Sequence, residues 1–137
     1  MRNDLWMLDT NTVSYLMRDN TGEMSKKLGE YDISSICISV VTEAELRYGI
    51  EKKPAATQLR QLVDAFLIRV TSLSWTSDVA QSYAQLRSVT ESRGLSLGNL
   101  DMMIASHALA VNATLVTSDK AFFQLKDLIA LDDWRHN

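Results

Sequence analysis

Apolar residues fall along this chain in short blocks, and their spacing changes from block to block. Leu5-Trp6-Met7-Leu8 is an unbroken apolar run ending at Asp9, which predicts a short strand buried on both faces. From Asn11 the spacing becomes helical, with Val13, Leu16 and Met17 on one side. Met24 to Tyr31 predicts a second short helix, and Ile36-Cys37-Ile38-Ser39 a second buried strand. Helical spacing returns from Thr42 through Ala44, Leu46 and Tyr48 and ends near Pro54. Leu59, Leu62, Val63, Phe66 and Leu67 fall at i, i+3, i+4, i+7 and i+8, the signature of an amphipathic helix that packs in the core. Ser72 to Trp75 predicts a third strand. Asp78 to Arg93 predicts a helix closed by Gly94 in the left-handed conformation. Asn99 to Ala108 is helical and almost wholly apolar after Asp101. Ala113 to Thr117 is a strand, Phe122 to Leu125 a helical turn, and Leu128 to Leu131 a last strand.

Strands that alternate with helices need crossover connections. The expected fold is therefore α/β, with a mainly parallel central sheet covered by helices on both faces, three layers in all. There is no repeat, low-complexity segment or linker, so residues 1–137 read as a single domain. The chain is 46% hydrophobic and 23% charged, which is ordinary for a globular protein. Cys37 is the only cysteine, so no internal disulfide forms and a reducing cytoplasm is expected. No apolar run approaches the ~18 residues that span a bilayer, and no signal peptide is evident. The net charge of −3 argues against a surface coated in lysine for general polyanion binding.

Of the seventeen acids, four stand at notable places. Asp9 follows the first strand. Glu45 lies early in the helix after the second. Asp101 heads the apolar helix. Asp119 follows the Thr114–Thr117 strand. In an open parallel sheet, sites form at the carboxyl ends of strands, the edge to which this pattern assigns Asp9, Glu45 and Asp119. Asp101 joins them if its helix starts at the same edge.

Each acid also has a purely local explanation. Thr42-Glu43-Ala44-Glu45 fits a capping box. Asn99 fits as the cap of the apolar helix, with Asp101 in its first turn. Asp119 suits the cap of its short helix, and Asp9 a turn. Grouped together, the four ask for more. Two unit charges ~4 Å apart interact at roughly 4 kcal/mol with an effective dielectric near 20. Such a cluster needs protonation, basic partners or a cation. Oxygen ligands without histidine or cysteine suit Mg²⁺ or Mn²⁺, and metal-assisted phosphodiester hydrolysis is the natural chemistry.

Other chemistries find little support. His107 lies about 240° round the helix from Asp101 and reads as a packing residue, and His136 as a solvated one. Cys37 and Met102-Met103 read as core. No HExxH, GxSxG, Walker A or GxGxxG stretch occurs. Arg47, Lys52 and Lys53 cluster around the end of one helix, and Arg87 and Arg93 flank the long helix before the apolar one, which makes them the first candidates for phosphate contacts.

Four blocks carry a resemblance: "MLDTN" (Met7 to Asn11), "ISVVTEAELRYG" (Ile38 to Gly49), "GNLDMMIASHA" (Gly98 to Ala108) and "LVTSDKAF" (Leu115 to Phe122). In order and spacing they resemble the PIN-domain ribonucleases, and among these the VapC toxins of type II toxin–antitoxin systems. The closing "LDDW" (Leu131 to Trp134) is also similar. The resemblance implies a PIN-like domain and a Mg²⁺-dependent endoribonuclease, with Mn²⁺ able to substitute. It implies Asp9, Glu45, Asp101 and Asp119 as catalytic acids. Asp9 and Asp101 touch the metal on this reading, and Glu45 and Asp119 are available to a second site. Asn11 matches a polar position of the first block, and Thr10 and Thr117 orient the acids. Some relatives carry a further acid where Ala121 stands here. The implied substrate is structured RNA, often transfer RNA, cut to leave a 5′-phosphate and a 3′-hydroxyl. The implied partners are a second copy of the chain and a cognate VapB-like antitoxin, through which alone promoter DNA is bound.

Two rivals with acids at strand ends fit less well. A phosphoryl-accepting receiver domain needs paired acids after its first strand, and a haloacid-dehalogenase-type phosphatase needs D-x-D where Asp9-Thr10-Asn11 stands. The rival from another class is a non-catalytic PIN-like domain whose acids dock a basic peptide.

Overall fold

Five strands, all parallel, lie in the order β3-β2-β1-β4-β5. The structure is a computed structural model and describes residues 4–19 and 21–136. The chain runs β1 (Trp6–Leu8), α1 (Thr10–Arg18), α2 (Glu23–Gly29), a 3-10 turn (Ile33–Ser35), β2 (Ile36–Ser39), α3 (Val40–Lys52) and α4 (Thr57–Arg69). It continues through β3 (Thr71–Leu73), α5 (Ser77–Ser92), α6 (Asn99–Ala110), β4 (Thr114–Val116), α7 (Lys120–Phe123) and β5 (Leu131–Asp132). No described helix is long and apolar enough to cross a membrane.

The strands are apolar without alternation because both faces are covered. Met7, Cys37 and Leu115 point into a core shared with Leu86 of α5, Met102, Ile104, Ala105 and Ala108 of α6, and Phe122 of α7. Their neighbours Leu8, Ile36, Ile38 and Val116 point the other way, against Val13 and Leu16 of α1, Met24 of α2, Leu46 and Ile50 of α3, and Val63 of α4. The period of two along each strand thus divides one apolar run between two cores. This is the expected three-layer α/β/α arrangement, with every described strand pair parallel.

The strand order explains where a site forms. β2 and β3 lie on one side of β1, and β4 and β5 on the other. Connections leaving the carboxyl ends of β1 and β4 therefore diverge, and a crevice opens between them.

Several boundaries depart from the sequence pattern. α3 begins at Val40, capped by the Ser39 hydroxyl, which accepts from Val41 N at 3.0 Å. Thr42 is thus inside the helix and fully buried, and the capping box does not form. α6 has Gly98 as its N-cap with no side-chain cap bond, so Asn99 is the first helical residue and not the cap. Strand β3 ends at Leu73, short of Trp75. Leu128 and Ile129 are not a strand: their amides bond to Leu125 O at 2.8 and 3.0 Å and continue the turn after α7. A short apolar run buries equally well from a turn, and periodicity alone does not separate the two. Gly94 adopts the expected left-handed backbone, at φ 69°. On α4 Val63 is buried and Leu59, Phe66 and Leu67 pack partly buried against the same core, as the spacing implies; Leu62 is 38% exposed, and Ile68, off that face, 86%.

Tyr31 and Trp134 fasten the C-terminal end of the described chain. Their rings stack at 5.0 Å, Trp6 packs on Tyr31 at 4.6 Å, and Trp134 is 1% exposed. Trp134→Ala is expected to cost about 3–5 kcal/mol, the range for removing a large buried aromatic. Urea unfolding should show a lower midpoint at unchanged slope.

Candidate active site

Asp9 is the residue immediately after β1. Its amide still pairs with Val116 O at 3.1 Å, so the carboxylate emerges at the edge of the sheet itself. Asp9 Oδ1 accepts from Thr12 N at 2.8 Å and caps α1, while the Thr12 hydroxyl donates to Val116 O at 3.2 Å. The Thr117 hydroxyl also donates to the Asp9 carboxylate. Only 2% of Asp9 is exposed. Burial raises its pKa, the Thr117 and Thr12 bonds oppose the rise, and the charge of Asp119 adds to it.

Thr117 serves a second acid. Its oxygen accepts from Asp119 N at 3.0 Å, and Asp119 Oδ1 in turn accepts from Ala121 N at 3.0 Å to start α7. Glu45 projects from the second turn of α3, later than its sequence position implies, because that helix starts at Val40. The Thr10 hydroxyl donates to Glu45 Oε1 at 2.6 Å, and its oxygen lies 3.2 Å from the Thr42 hydroxyl oxygen. Asp101 sits in the first turn of α6, among amides that lack intrahelical partners.

These four acids are close enough to feel one another. The Asp101 carboxyl is pushed up to about 6, first by burial and then by the charges of Asp119, Glu45 and Asp9. The fold therefore brings all four sequence candidates to one place. Among the described residues, however, no three His, Cys, Asp or Glu side chains form a ready-made metal cage. An open carboxylate site of this kind suits Mg²⁺, which keeps waters and binds through one or two carboxylates plus phosphate oxygens. The four acids come without the His or Cys ligands on which zinc sites chiefly draw.

The remaining candidates separate by environment. Cys37 is buried in β2, with its thiol pushed up to about 12 by burial. His107 is fully buried, with Nδ1 2.7 Å from Ser39 Oγ and its ring against Trp75. Burial lowers its pKa. The hydrogen bond to Ser39 orients the ring, and burial favours its neutral form. His136 is exposed and pairs with Asp133 at 2.7 Å.

Most cations singled out in the sequence are already engaged. Arg47 pairs with Glu43 at 2.7 Å, Arg87 with Glu91 at 3.1 Å and Arg93 with Asp127 at 2.7 Å, while Lys52 covers Tyr48. The cations that border the acids are others. A cleft of about 300 Å³ beside Asp119 is lined by Asn11, Tyr15, Arg18, Ser118 and Arg135 among others. The "LDDW" block pointed towards this region. Its Asp133 accepts from the Ser118 hydroxyl at 2.7 Å and from Arg135 N at 2.9 Å.

The PIN domain family matches residues 6–128. The chain belongs to that family. It is 36% identical to Ribonuclease VapC2 of Rickettsia felis over 132 residues, covering 95% of this chain and 98% of the relative. It is 32% identical to the tRNA(fMet)-specific endonuclease VapC of Salmonella typhimurium over 129 residues, covering 94% and 97%. Among solved structures, VapBC2 of Rickettsia felis bound to a DNA fragment from its promoter matches with a TM-score of 0.86 at 33% identity, covering 95% of this chain and 98% of that one. DNA-bound VapBC of Salmonella typhimurium matches at 0.88 and 30%, covering 96% and 98%. Within the PIN-domain family the chain thus falls with the VapC ribonucleases, as the four blocks implied.

The raised Asp101 pKa makes the PIN site pH-sensitive. A carboxyl that holds its proton more tightly when folded contributes stability that is full below its ordinary value of 3.8 and lost as pH rises through about 6. In metal-free buffer Asp101→Asn should therefore melt higher than the parent at about pH 7.5, and the gain should shrink towards pH 4. A gain of equal size at both pH values would mean that folding does not raise the Asp101 pKa.

Proposed function

We propose that this PIN-domain ribonuclease is the toxin of a type II toxin–antitoxin pair, acting in the cytoplasm as a Mg²⁺-dependent endoribonuclease on transfer RNA or another structured RNA. The observation that carries the metal site is that the charges of Asp9, Glu45 and Asp119 all reach Asp101. Like charges held this close call for a cation, and all the ligand atoms on offer are hard oxygens.

Asp9 and Asp101 would hold the ion. When bound, Mg²⁺ or Mn²⁺ supplies positive charge for the scissile phosphate and a water acidified for in-line attack, leaving a 5′-phosphate and a 3′-hydroxyl. Asp9 is held by Thr12 and Thr117, so its carboxylate needs no reorganisation on binding. Glu45 is oriented by Thr10 and completes the acidic pocket with Asp119, where a second ion has a place. A neighbouring carboxylate of this group takes the attacking water's proton.

The cognate partner on this reading is a VapB-like antitoxin, through which alone promoter DNA is bound. We place its contact in an apolar groove of about 530 Å³ formed by α1, α2 and α4, lined by Leu16, Met17, Leu28, Leu62 and Phe66. A second copy of the chain would pack on α5 and α6, where Val89, Leu100 and Leu109 are exposed. The competing reading, a non-catalytic domain that docks a basic peptide, needs the acids but not Thr10 as a positioning group.

Purified protein in Mg²⁺ should cut cellular RNA at discrete places, and EDTA should stop it. Asp9→Asn keeps a capping oxygen for Thr12, so α1 should survive while cleavage is lost. Asp101→Asn should behave alike. Thr10→Val removes the hydroxyl that holds Glu45 and meets Thr42, and should lower the rate about 10- to 100-fold, as loss of a group behind a metal ligand does. Full activity in folded Asp101→Asn would refute the site, and intact RNA from folded, metal-loaded parent would favour peptide docking. Phe66→Asp should release the nuclease from its co-expressed antitoxin without slowing cleavage. Continued inhibition of Phe66→Asp would move the antitoxin contact elsewhere.

A further inference from the structure

The cleft beside Asp119 reaches the acids through Asp119 itself, which forms part of its wall. The rest of its lining combines one aromatic ring, two guanidinium groups and mostly neutral polar side chains: Tyr15 and Arg18 from α1, Arg135 from the C-terminal turn, and Asn11 and Ser118 near the acids. Arg135 lies over the Tyr15 ring, 5.0 Å from its centroid, in the geometry of a cation–π contact. Among the described residues neither Arg18 nor Arg135 is paired with a carboxylate, unlike Arg47, Arg87 and Arg93. Arg18 uses Nε on Ser14 O at 3.3 Å, which fixes the stem and leaves its terminal amino groups for another acceptor.

We propose that this cleft is a subsite for one unpaired nucleotide of the RNA next to the scissile phosphate, with its base laid on the Tyr15–Arg135 platform and its phosphate held by Arg18. The inference rests on the ribonuclease reading above and adds to it where the strand runs. Unpaired bases stack on aromatic rings and on guanidinium planes. A Tyr–Arg pair in contact offers both, and the contact holds the guanidinium in place before the base arrives. The volume, about 300 Å³, is at the lower end for small-ligand sites, so it admits one nucleotide and not a duplex. Charge gives the second argument. A polyanion approaching four carboxylates is repelled unless cations stand beside them, and Arg18 and Arg135 are the uncommitted cations of this cleft. Position gives the third. Asp133 ties Arg135 N to the Ser118 hydroxyl, and Ser118 precedes Asp119 in the chain, so platform and acids are held in one frame. The apolar groove proposed for the antitoxin opens on the other side of α1, at Leu16 and Met17, and leaves this cleft to RNA.

The test is binding of a labelled single-stranded RNA oligonucleotide of mixed sequence, in Mg²⁺, by the full chain carrying Asp101→Asn to prevent turnover. On that background Arg18→Ala should weaken binding for every sequence and reduce the slope of log affinity against log salt by about one contact. Tyr15→Ala and Arg135→Ala should each weaken binding about 5- to 150-fold, the range for loss of one stacked base. Arg135→Lys keeps the charge and loses the plane, so the salt slope should stay while the stacking affinity falls. In the unblocked chain Tyr15→Ala should also alter which nucleotide is preferred beside the cut. Undiminished binding in Tyr15→Ala, Arg18→Ala and Arg135→Ala, with a parent that cleaves RNA, would overturn the subsite and leave the nuclease standing. Arg135→Lys that binds as tightly as Arg135 would overturn the base platform. A parent that neither binds nor cleaves RNA in Mg²⁺ overturns the underlying reading as well.

Discussion

The structure turns on keeping like charges together at one edge of a sheet. Carboxylates that raise one another's pKa push apart, and only a frame stiffer than their repulsion holds them. Asp9 shows how the frame is built. A buried carboxylate without partners is expensive, but this one accepts from Thr12 N and from the Thr117 hydroxyl. The same bonds start α1 and join it to β4, since Thr12 also donates to Val116 O. Thr117 then holds Asp119 through its amide, so one threonine serves acids on both sides of the crevice. The positions are set by backbone ladders between β1 and β4, which loops alone would not hold.

This changes how the local and the functional explanations of an acid relate. Read one at a time, Asp119 looks like a helix cap and Asp9 like the start of a turn, and both are caps: each accepts a backbone amide at the start of a helix. That amide occupies one lone pair of one oxygen, so the carboxylate keeps acceptor capacity for a metal. The cap fixes the side-chain rotamer, and a fixed rotamer is what a catalytic ligand needs. Glu45 and Asp101 are different. Neither caps its helix, because Ser39 and Gly98 stand in those places. Glu45 is held instead by Thr10, across the sheet edge from another element.

The four acids were legible because strand-end position is a property of sequence order, and each acid lies next to an apolar block that could be recognised. The layers were legible for the same reason. What could not be read was anything decided by contact between distant segments. The spacing of α4 marked the side that packs on the core, through Val63, Leu59, Phe66 and Leu67, but not that Leu62 stays 38% exposed, because period reports which side is apolar and not how fully it is covered. Leu128 to Leu131 looked like a strand because four residues are too few to show a period. The candidate cations were chosen from the ends of the helices that lead to and from the acids. Nearness in space belongs instead to Arg18 and to Arg135, which is separated from Asp9 by nearly the whole chain.

That last difference has an electrostatic logic. A cation one turn from an acid on the same helix is neutralised by it, as Arg47 is by Glu43 and Arg87 by Glu91. Such pairs contribute little to binding a polyanion, since the pair must be broken first and its exposed charges are already screened. A free guanidinium must come from a segment that carries no acid at the right spacing. Arg18 closes a helix with no acid in its first turn, and Arg135 follows Asp133, which is already saturated by Ser118 and His136. A chain with net charge −3 thus keeps two uncommitted guanidinium groups beside its acidic centre, while Arg47, Arg87 and Arg93 are paired with acids elsewhere. The overall sign of the protein says little about its substrate; the distribution of unpaired charge around β1 and β4 says much more.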